Sequence, residues 1–319
     1  MLKTIRSILS IFLLVLSFHA SAASAGVCPP AAEQPAPEAI QDALRNASDH
    51  GFMWRISKDG RTSFLYGTIH VAKFEWMFPG PRVMQALNAA DTVALELDVM
   101  DADIQRRVAR GMATSSNTAL PAALVERMRQ QADSMCVPYD SIAGLSPELQ
   151  ITTLTVMAGR GAGIDPAYAI DGVLAGIGHG ANKKVVSLET PEAQLRMLQM
   201  KDAQETISFV QDSLDELEAG RTGTFLKRIA EVWADADYAE MARFNEWCDC
   251  LNTGIEREMM RRLLDGRNPG LADRIDALHR GGRQVFAAVG SLHMFGPLGL
   301  PALMEKRGYR VERVGFQPP

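Results

Sequence analysis

One short pattern that ends in histidine occurs twice in this chain, and it constrains the fold more than any other feature. The first copy is Gly67 to His70 and the second is Gly290 to His293, so the two histidines lie 223 positions apart. In both copies a strand-like apolar segment precedes the glycine, and a helix-like and a second strand-like segment follow the histidine. A strand–helix–strand unit repeated in this way predicts two halves of one domain that face each other. Their histidines could then meet.

The repeat predicts an α/β fold. We expect two related strand–GxxH–helix–strand halves to form a central sheet flanked by helices, with a large helical middle segment. That segment starts at Thr190-Pro191-Glu192, because threonine caps a helix, proline suits its first position and an acid suits its positive end. We predict a single domain over residues 51–317, with a helical insertion at about residues 190–265. The many methionines of this insertion are expected to fill core rather than line a groove.

The N-terminus predicts export from the cytoplasm. Residues 1–25 combine Lys3 and Arg6, an apolar run from Ile8 to Phe18 and small residues after it, which is typical of a secretory signal. No later apolar run is long enough to cross a bilayer, so we expect a periplasmic or secreted protein with no membrane span after signal removal. Residues 26–50 read as a tail and a short lead-in helix. The net charge of −5 and the lack of a basic stripe argue against nucleic acid as a partner.

Four cysteines remain after the signal, namely Cys28, Cys136, Cys248 and Cys250. In an oxidising compartment an even number predicts disulfides. Cys248 and Cys250 lie in a segment that reads as a helix or a helix end, where side chains two positions apart diverge. We therefore expect one of them to pair with Cys28 and the other with Cys136, in an order that the sequence leaves open. Their spacing argues against a Cys-Asp-Cys metal site.

Polar side chains at the ends of predicted strands carry the chemical argument. His70 and His293 follow two apolar strands, while Glu96 and Glu189 lie at the ends of two more. In α/β sheets the carboxyl ends of the strands are where ligands bind. Two imidazoles with one or two carboxylates suit a divalent ion such as zinc, manganese, cobalt or iron. Asp98 could be the ligand in place of Glu96, and Glu189 could instead cap a helix.

At this point the chain resembles the TraB/GumN family. The resemblance spans about Met53 to Val314 and rests on six segments that occur in the family's order: residues 66–71, 94–98, 170–174, 186–190, 267–269 and 288–293. The family is similar to the Tiki proteins, which are membrane-tethered metalloproteases, and lies in a wider group with erythromycin-esterase-like and ChaN-like folds. The resemblance implies an α/β fold of two related halves, with His70, His293 and Glu96 at a metal-dependent hydrolytic centre. No H-E-x-x-H motif is present to support peptidase activity independently.

These observations predict a metal-dependent hydrolase that acts on peptides or proteins outside the cytoplasm. His70 and His293 would bind the ion, and Glu96 would either take a proton from water or ligate the ion, with Glu189 in the remaining role. Arg267 and Asn268 could stabilise a developing oxyanion or anchor a substrate carboxylate, or could be a structural pair at a helix end. The alternative function is a non-catalytic periplasmic protein that binds a peptide, a metal or haem in the same cleft.

Overall fold

The computed structural model describes residues 28–33, 35–113, 118–248 and 250–316, so the predicted signal at residues 1–25 lies outside the described residues. Its centre is a six-stranded sheet with the order β4-β3-β5-β2-β1-β6. Strands β2 to β5 run parallel, and β1 is antiparallel to both of its neighbours. The strands are β1 (Phe52–Lys58), β2 (Arg61–Thr68), β3 (Thr92–Leu95), β4 (Lys184–Ser187), β5 (Val285–Gly290) and β6 (Arg310–Val314).

Helices cover the sheet and extend beyond it. Apart from short 3-10 turns, the described helices are α1 (Pro37–Arg45), α2 (Pro81–Ala89), α3 (Ala102–Ala113), α4 (Ala122–Ser134), α5 (Pro147–Met157), α6 (Ile170–Gly180), α7 (Pro191–Leu198), α8 (Ala203–Glu218), α9 (Arg221–Ala234), α10 (Tyr238–Ala242), α11 (Phe244–Trp247), α12 (Gly254–Leu263), α13 (Asn268–Arg280) and α14 (Leu300–Lys306). Within the described residues, none of the helices is long and apolar enough to span a membrane.

The central strands are buried because their sequences are apolar without alternation. All four residues of β3 are buried, as are the first five residues of β5. Strands of parallel sheets that are covered on both faces have this continuous apolar composition. At the edge, β1 and β2 form a hairpin whose turn residues Asp59 and Gly60 both have positive φ. This is the backbone that a two-residue hairpin turn needs, and Asp-Gly is a pair that favours it.

The apolar interior has two parts. The larger part surrounds the sheet and includes Trp233 and Met241 from the predicted helical insertion. The smaller part is formed by α4, α5 and α8, with buried residues such as Met128 and Leu154 at its centre. The helical layer away from the sheet therefore includes α4 and α5 in addition to the insertion expected at residues 190–265.

The predicted α/β class is confirmed, and the two repeats interleave in the sheet. Strands β2 and β5, which carry the two histidine motifs, are parallel neighbours, with Thr68 opposite Gly290. However, β3 follows the first motif in the chain and pairs with β5 rather than with β2. Strand β6 follows the second motif and lies at the far edge, beside β1. The two motifs therefore emerge next to each other at one edge of the sheet.

The expected disulfide pairing is wrong. The structure contains Cys28–Cys136 and Cys248–Cys250, with Cα–Cα distances of 5.7 and 5.1 Å. The error lies in the assumption that Cys248 and Cys250 belong to one helix. Helix α11 ends at Trp247, and Cys250 has no helical assignment. Outside a helix, side chains two positions apart can approach each other.

Loss of the Cys28–Cys136 disulfide is expected to lower the thermal stability of the protein. The bond joins positions 108 residues apart, and closure of a loop of this size stabilises by on the order of 4 kcal/mol in the chain-entropy model. For a chain of this size, Cys28→Ser/Cys136→Ser should lower Tm by roughly 10 °C in calorimetry. The matched control, Cys248→Ser/Cys250→Ser, opens a loop of sequence separation 2 and should cost much less. Equal losses of Tm in the two variants would contradict this account.

Candidate active site

The carboxyl ends of four parallel strands converge on one cluster of polar side chains. His70 follows β2, Glu96 follows β3, Glu189 follows β4 and His293 follows β5. Arg267 and Asn268, at the start of α13, approach the same cluster through contacts to Glu96, Glu189 and His293. The structure thus brings together all six residues that the sequence singled out.

The two histidine loops are fixed against each other by close backbone contacts. The Ser291 hydroxyl donates to the Thr68 carbonyl at 2.8 Å. A Cβ atom on Gly67 would lie 2.8 Å from Ser291 Oγ, so glycine is needed for this approach. The indole Nε1 of the buried Trp233 donates to the Gly67 carbonyl at 2.8 Å. These contacts set the positions from which both histidines project.

His70 is oriented by a carboxylate. Its Nδ1 donates to Asp171 Oδ2 at 2.9 Å, and the Thr68 hydroxyl donates to Asp171 Oδ1 at 2.8 Å. Attraction to Asp171 raises the pKa of His70 to about 9. The side chain is 63 % exposed. Because Nδ1 is engaged, a metal ion would bind Nε2, which must first lose the proton that it carries at neutral pH.

His293 is oriented by an amide and is almost fully buried. Its Nδ1 lies 2.6 Å from Asn268 Oδ1, while Asn268 Nδ2 donates to the Leu298 carbonyl at 2.9 Å. The second bond fixes the amide so that its oxygen faces the imidazole, and Nδ1 of His293 therefore carries the proton. Burial lowers the pKa of His293 to about 4, so Nε2 presents a lone pair at neutral pH.

Glu96 lies between the histidines and Arg267. Its Oε1 accepts from the Gly290 N–H at 2.8 Å and lies 4.0 Å from His293 Nε2. Its Oε2 accepts from the Arg267 guanidinium. Burial alone raises the pKa of Glu96, but Arg267, the two histidines and the Gly290 N–H together lower it to about 2. Glu96 is therefore ionised at neutral pH.

Glu189 binds Arg267 rather than the histidines. Arg267 Nε donates to Glu189 Oε1 at 3.0 Å, and the same guanidinium contacts Oε2 of both Glu189 and Glu96. Gln194 Nε2 donates to both Oε2 atoms, at 3.1 Å to Glu96 and 3.0 Å to Glu189. Both oxygens of Glu189 are thus occupied, and its clear contribution is to hold the guanidinium beside Glu96.

The missing side chain of Gly290 leaves a gap where three functional groups meet. A Cβ atom at this position would lie 3.3 Å from Glu96 Oε1, 3.5 Å from His70 Nε2 and 3.6 Å from His293 Cδ2. All three groups are therefore within 4 Å of one point. The two imidazoles and the carboxylate therefore border the same small region beside Gly290.

The chemistry of this gap suits a divalent ion. Histidine ligands commonly bind through one ring nitrogen while the other is hydrogen-bonded to a carboxylate, carbonyl or water, and Asp171 and Asn268 provide such partners for His70 and His293. Glu96 Oε1 adds a negatively charged oxygen. Among the described residues, however, no group of three or more His, Cys, Asp or Glu side chains is arranged so that it could hold a metal ion. The donors thus face a common gap without closing around it.

Two further residues, Asp171 and Gln194, contact the site residues, whereas Asp98 lies outside the site. Asp171 belongs to a segment that carried the family resemblance, but its bond to His70 depends on a pairing between distant segments that no local pattern reveals. Gln194 gave no sequence signal beyond its position one turn after the predicted helix start. Asp98, considered as an alternative to Glu96, accepts instead from His179 Nε2 at 2.8 Å.

The fold and the site define a class of protein, an α/β domain with a histidine and glutamate cluster at the carboxyl edge of its sheet. The chain belongs to the TraB/PrgY/gumN family, whose model matches residues 52–313. No protein of curated function and no solved structure matches the chain. The matched region contains every residue of the cluster.

Proposed function

We propose that this protein is a metal-dependent hydrolase that acts on peptides or proteins outside the cytoplasm. The observation that carries the proposal is the orientation of the two imidazoles. Each Nδ1 is held by a partner, while His70 Nε2, the His293 ring and Glu96 Oε1 surround one gap. This arrangement supports binding of one divalent ion, such as zinc, manganese or cobalt, by His70, His293 and Glu96.

The chain's own residues have distinct roles in this proposal. A divalent ion, when bound, would lower the pKa of water and polarise a carbonyl group. Glu96 combines a negative charge with a position beside both histidines, which suits it to bind the ion or to accept a proton. Arg267 holds Glu96 ionised and places a positive charge beside the gap, where it can stabilise negative charge on a substrate.

The location outside the cytoplasm has two kinds of support. The first is the signal-like sequence of residues 1–25. The second is the Cys28–Cys136 disulfide, since stable disulfides are rare in reducing compartments. Together they favour a periplasmic or secreted protein.

One observation favours the alternative function, a non-catalytic protein that binds a peptide, a metal or haem. Glu96 and Glu189 are both engaged by Arg267 without any added ion. Both carboxylates therefore have a counter-ion within the protein itself. A site whose carboxylates are already paired can hold a ligand without reacting with it.

The first step of the test measures whether the site binds a metal ion. The mature protein, freed of metal by chelation, is titrated with Zn²⁺, Mn²⁺ or Co²⁺ in a calorimeter, and bound metal is quantified after dialysis. We expect about one ion per chain, and we expect His70→Ala and His293→Ala each to weaken binding by at least about tenfold, since each removes a ligand. His179→Gln is the matched control, because its ring pairs with Asp98 outside the site.

The second step tests hydrolysis with an unstructured peptide library in the presence of the ion that binds best. We expect cleavage that chelation removes and added metal restores. If His70→Ala and the His179→Gln control bind metal equally well, the metal site is wrong. If metal binds at the site and no peptide is cleaved, the binding function is favoured over the hydrolase.

A further inference from the structure

A cavity of about 540 Å³ lies directly beside the candidate active site. Glu189 and Arg267 form part of its wall, so it adjoins the network that holds Glu96. Its other walls come from residues 190–197 of α7 and the turn before it, from the end of α12, and from residues 266–274 around the start of α13. Its volume lies within the range of sites for small ligands.

The wall of this cavity is strongly basic. Its only acidic residue is Glu189, and both oxygens of that carboxylate are bound by Arg267. Five arginines line the cavity: Arg196, Arg261, Arg262, Arg267 and Arg274. We call this space the arginine cavity.

Three of the five arginines form no ion pair within 4.0 Å in the described part of the chain, although the charge of Arg262 acts on Glu258. Arg267 pairs with Glu96 and Glu189, and Arg261 pairs with Glu258. Arg262 donates to the Gln199 carbonyl at 2.9 Å, and its Nε is buried without a hydrogen-bond partner. Arg274 donates to a backbone carbonyl as well, that of Leu188. Neither carbonyl neutralises a guanidinium, and Arg196 is exposed at the rim.

The arginine cavity also has an apolar component. Ala193 and Met197 are partly exposed along its wall, and the buried Leu188 and Leu271 lie behind them. A ligand that matches this surface carries negative charges together with apolar groups. Guanidinium groups bind carboxylates through paired hydrogen bonds, and their rigid planar shape makes them selective for such groups.

We infer that the arginine cavity binds carboxylate groups of a peptide substrate, and that peptides rich in aspartate and glutamate are the substrate class of this protein. Binding in the cavity places such a peptide against Arg267, next to Glu96 and the gap between the histidines. The consequence for cleavage rests on the proposed hydrolase function. The binding itself does not, and it can be measured without metal or turnover.

Binding of a fluorescent peptide tests the inference on the full mature protein. A labelled hexapeptide of alternating Asp, Leu and Glu is compared by anisotropy with the same peptide in which Asn and Gln replace the acids, at low and at high salt. We expect the acidic peptide to bind at least about tenfold more tightly at low salt, and the difference to shrink as salt screens the charges.

A pair of charge-matched double variants locates the binding. Arg196→Gln/Arg274→Gln removes two cavity charges, and we expect it to weaken binding of the acidic peptide by about tenfold or more. The control Arg283→Gln/Arg310→Gln also removes two charges. Arg283 lies just before β5 and Arg310 is the first residue of β6, so both lie at the amino ends of strands, opposite the carboxyl ends that carry the site. This control should bind the acidic peptide as the parent does. Melting curves establish that both variants are folded.

Several outcomes overturn the inference. The first is equal affinity for the acidic and the amide peptide. The second is an equal loss of affinity for the acidic peptide in both double variants. The third is that inorganic phosphate binds the cavity more tightly than the peptide does. If the protein cleaves peptides but shows no preference for acidic ones in binding, the inferred role of the arginine cavity is wrong and the proposed hydrolase function stands. If the protein prefers acidic peptides in binding but cleaves none with any metal, the proposed hydrolase function is wrong and the inferred role of the arginine cavity stands.

Discussion

Glu96→Gln is expected to lower kcat/KM for peptide hydrolysis by at least about 100-fold while the protein stays folded. Glutamine keeps the size of the side chain but removes the negative charge that faces His293 and the Gly290 N–H. Arg267 keeps Glu189 as its partner, so the substitution leaves one guanidinium paired with one carboxylate. The measurement is steady-state kinetics on metal-loaded protein, together with Tm.

Glu192→Gln is the matched control for this result. Glu192 lies near the start of α7, pairs with Arg107 and is 45 % exposed. The control should retain kcat/KM within about twofold, since surface substitutions away from special contacts have small effects. Activity of Glu96→Gln close to that of the control would show that this carboxylate has no chemical role.

Arg267→Met is expected to destabilise the fold by about 3–5 kcal/mol, because it leaves buried carboxylates without a counter-ion. Arg267 is 11 % exposed, and so are Glu96 and Glu189. Methionine fills part of the space but offers no charge and no donor. The measurement is the free energy of unfolding in urea at neutral pH.

The pH dependence of this variant has a definite sign. In the parent, Glu96 has a pKa of about 2 against an ordinary value of 4.5, and Arg267 is the largest cause of the lowering. A lowered pKa stabilises the fold above pH 4.5, and this contribution is lost as the pH falls toward 2. The deficit of Arg267→Met should therefore be largest above pH 4.5 and shrink below it.

Arg261→Met provides the control for Arg267→Met. Arg261 contacts Glu258 through the same kind of ion pair, but the two side chains are 61 % and 51 % exposed. Exposed pairs contribute about 0–1 kcal/mol, so this variant should lose little. A similar loss in both variants would show that the burial of the Arg267 network does not matter.

The meeting of the histidines could be predicted from the sequence because it depends on a local pattern that occurs twice. Each G-x-x-H motif follows an apolar strand, and parallel strands present their carboxyl ends on one edge. The strand order could not be predicted, because β5 inserts between β2 and β3 through contacts between distant segments. The interleaving of the repeats follows from the same insertion.

The partners of the site residues were harder to predict than the residues themselves. Arg267 and Glu189 are 78 positions apart, and Asp171 is 101 positions from His70. Only tertiary packing decides that Arg267 holds both carboxylates. The predicted disulfide pairing is wrong because it treats Cys248 and Cys250 as part of a helix or a helix end, whereas α11 ends at Trp247. Local spacing alone does not reveal where such a helix stops.

The insertion of β5 between β2 and β3 also determines when the site can exist. His70 and Glu96 are made first, whereas Gly290 and His293 follow Glu96 by 194 and 197 positions. Until β5 has paired with both neighbours, Glu96 lacks its Gly290 contact and His70 lacks its companion ring. A chain in which β5 has not yet paired therefore lacks the complete cluster, and whatever chemistry this protein performs at that cluster starts only after β5 is in place.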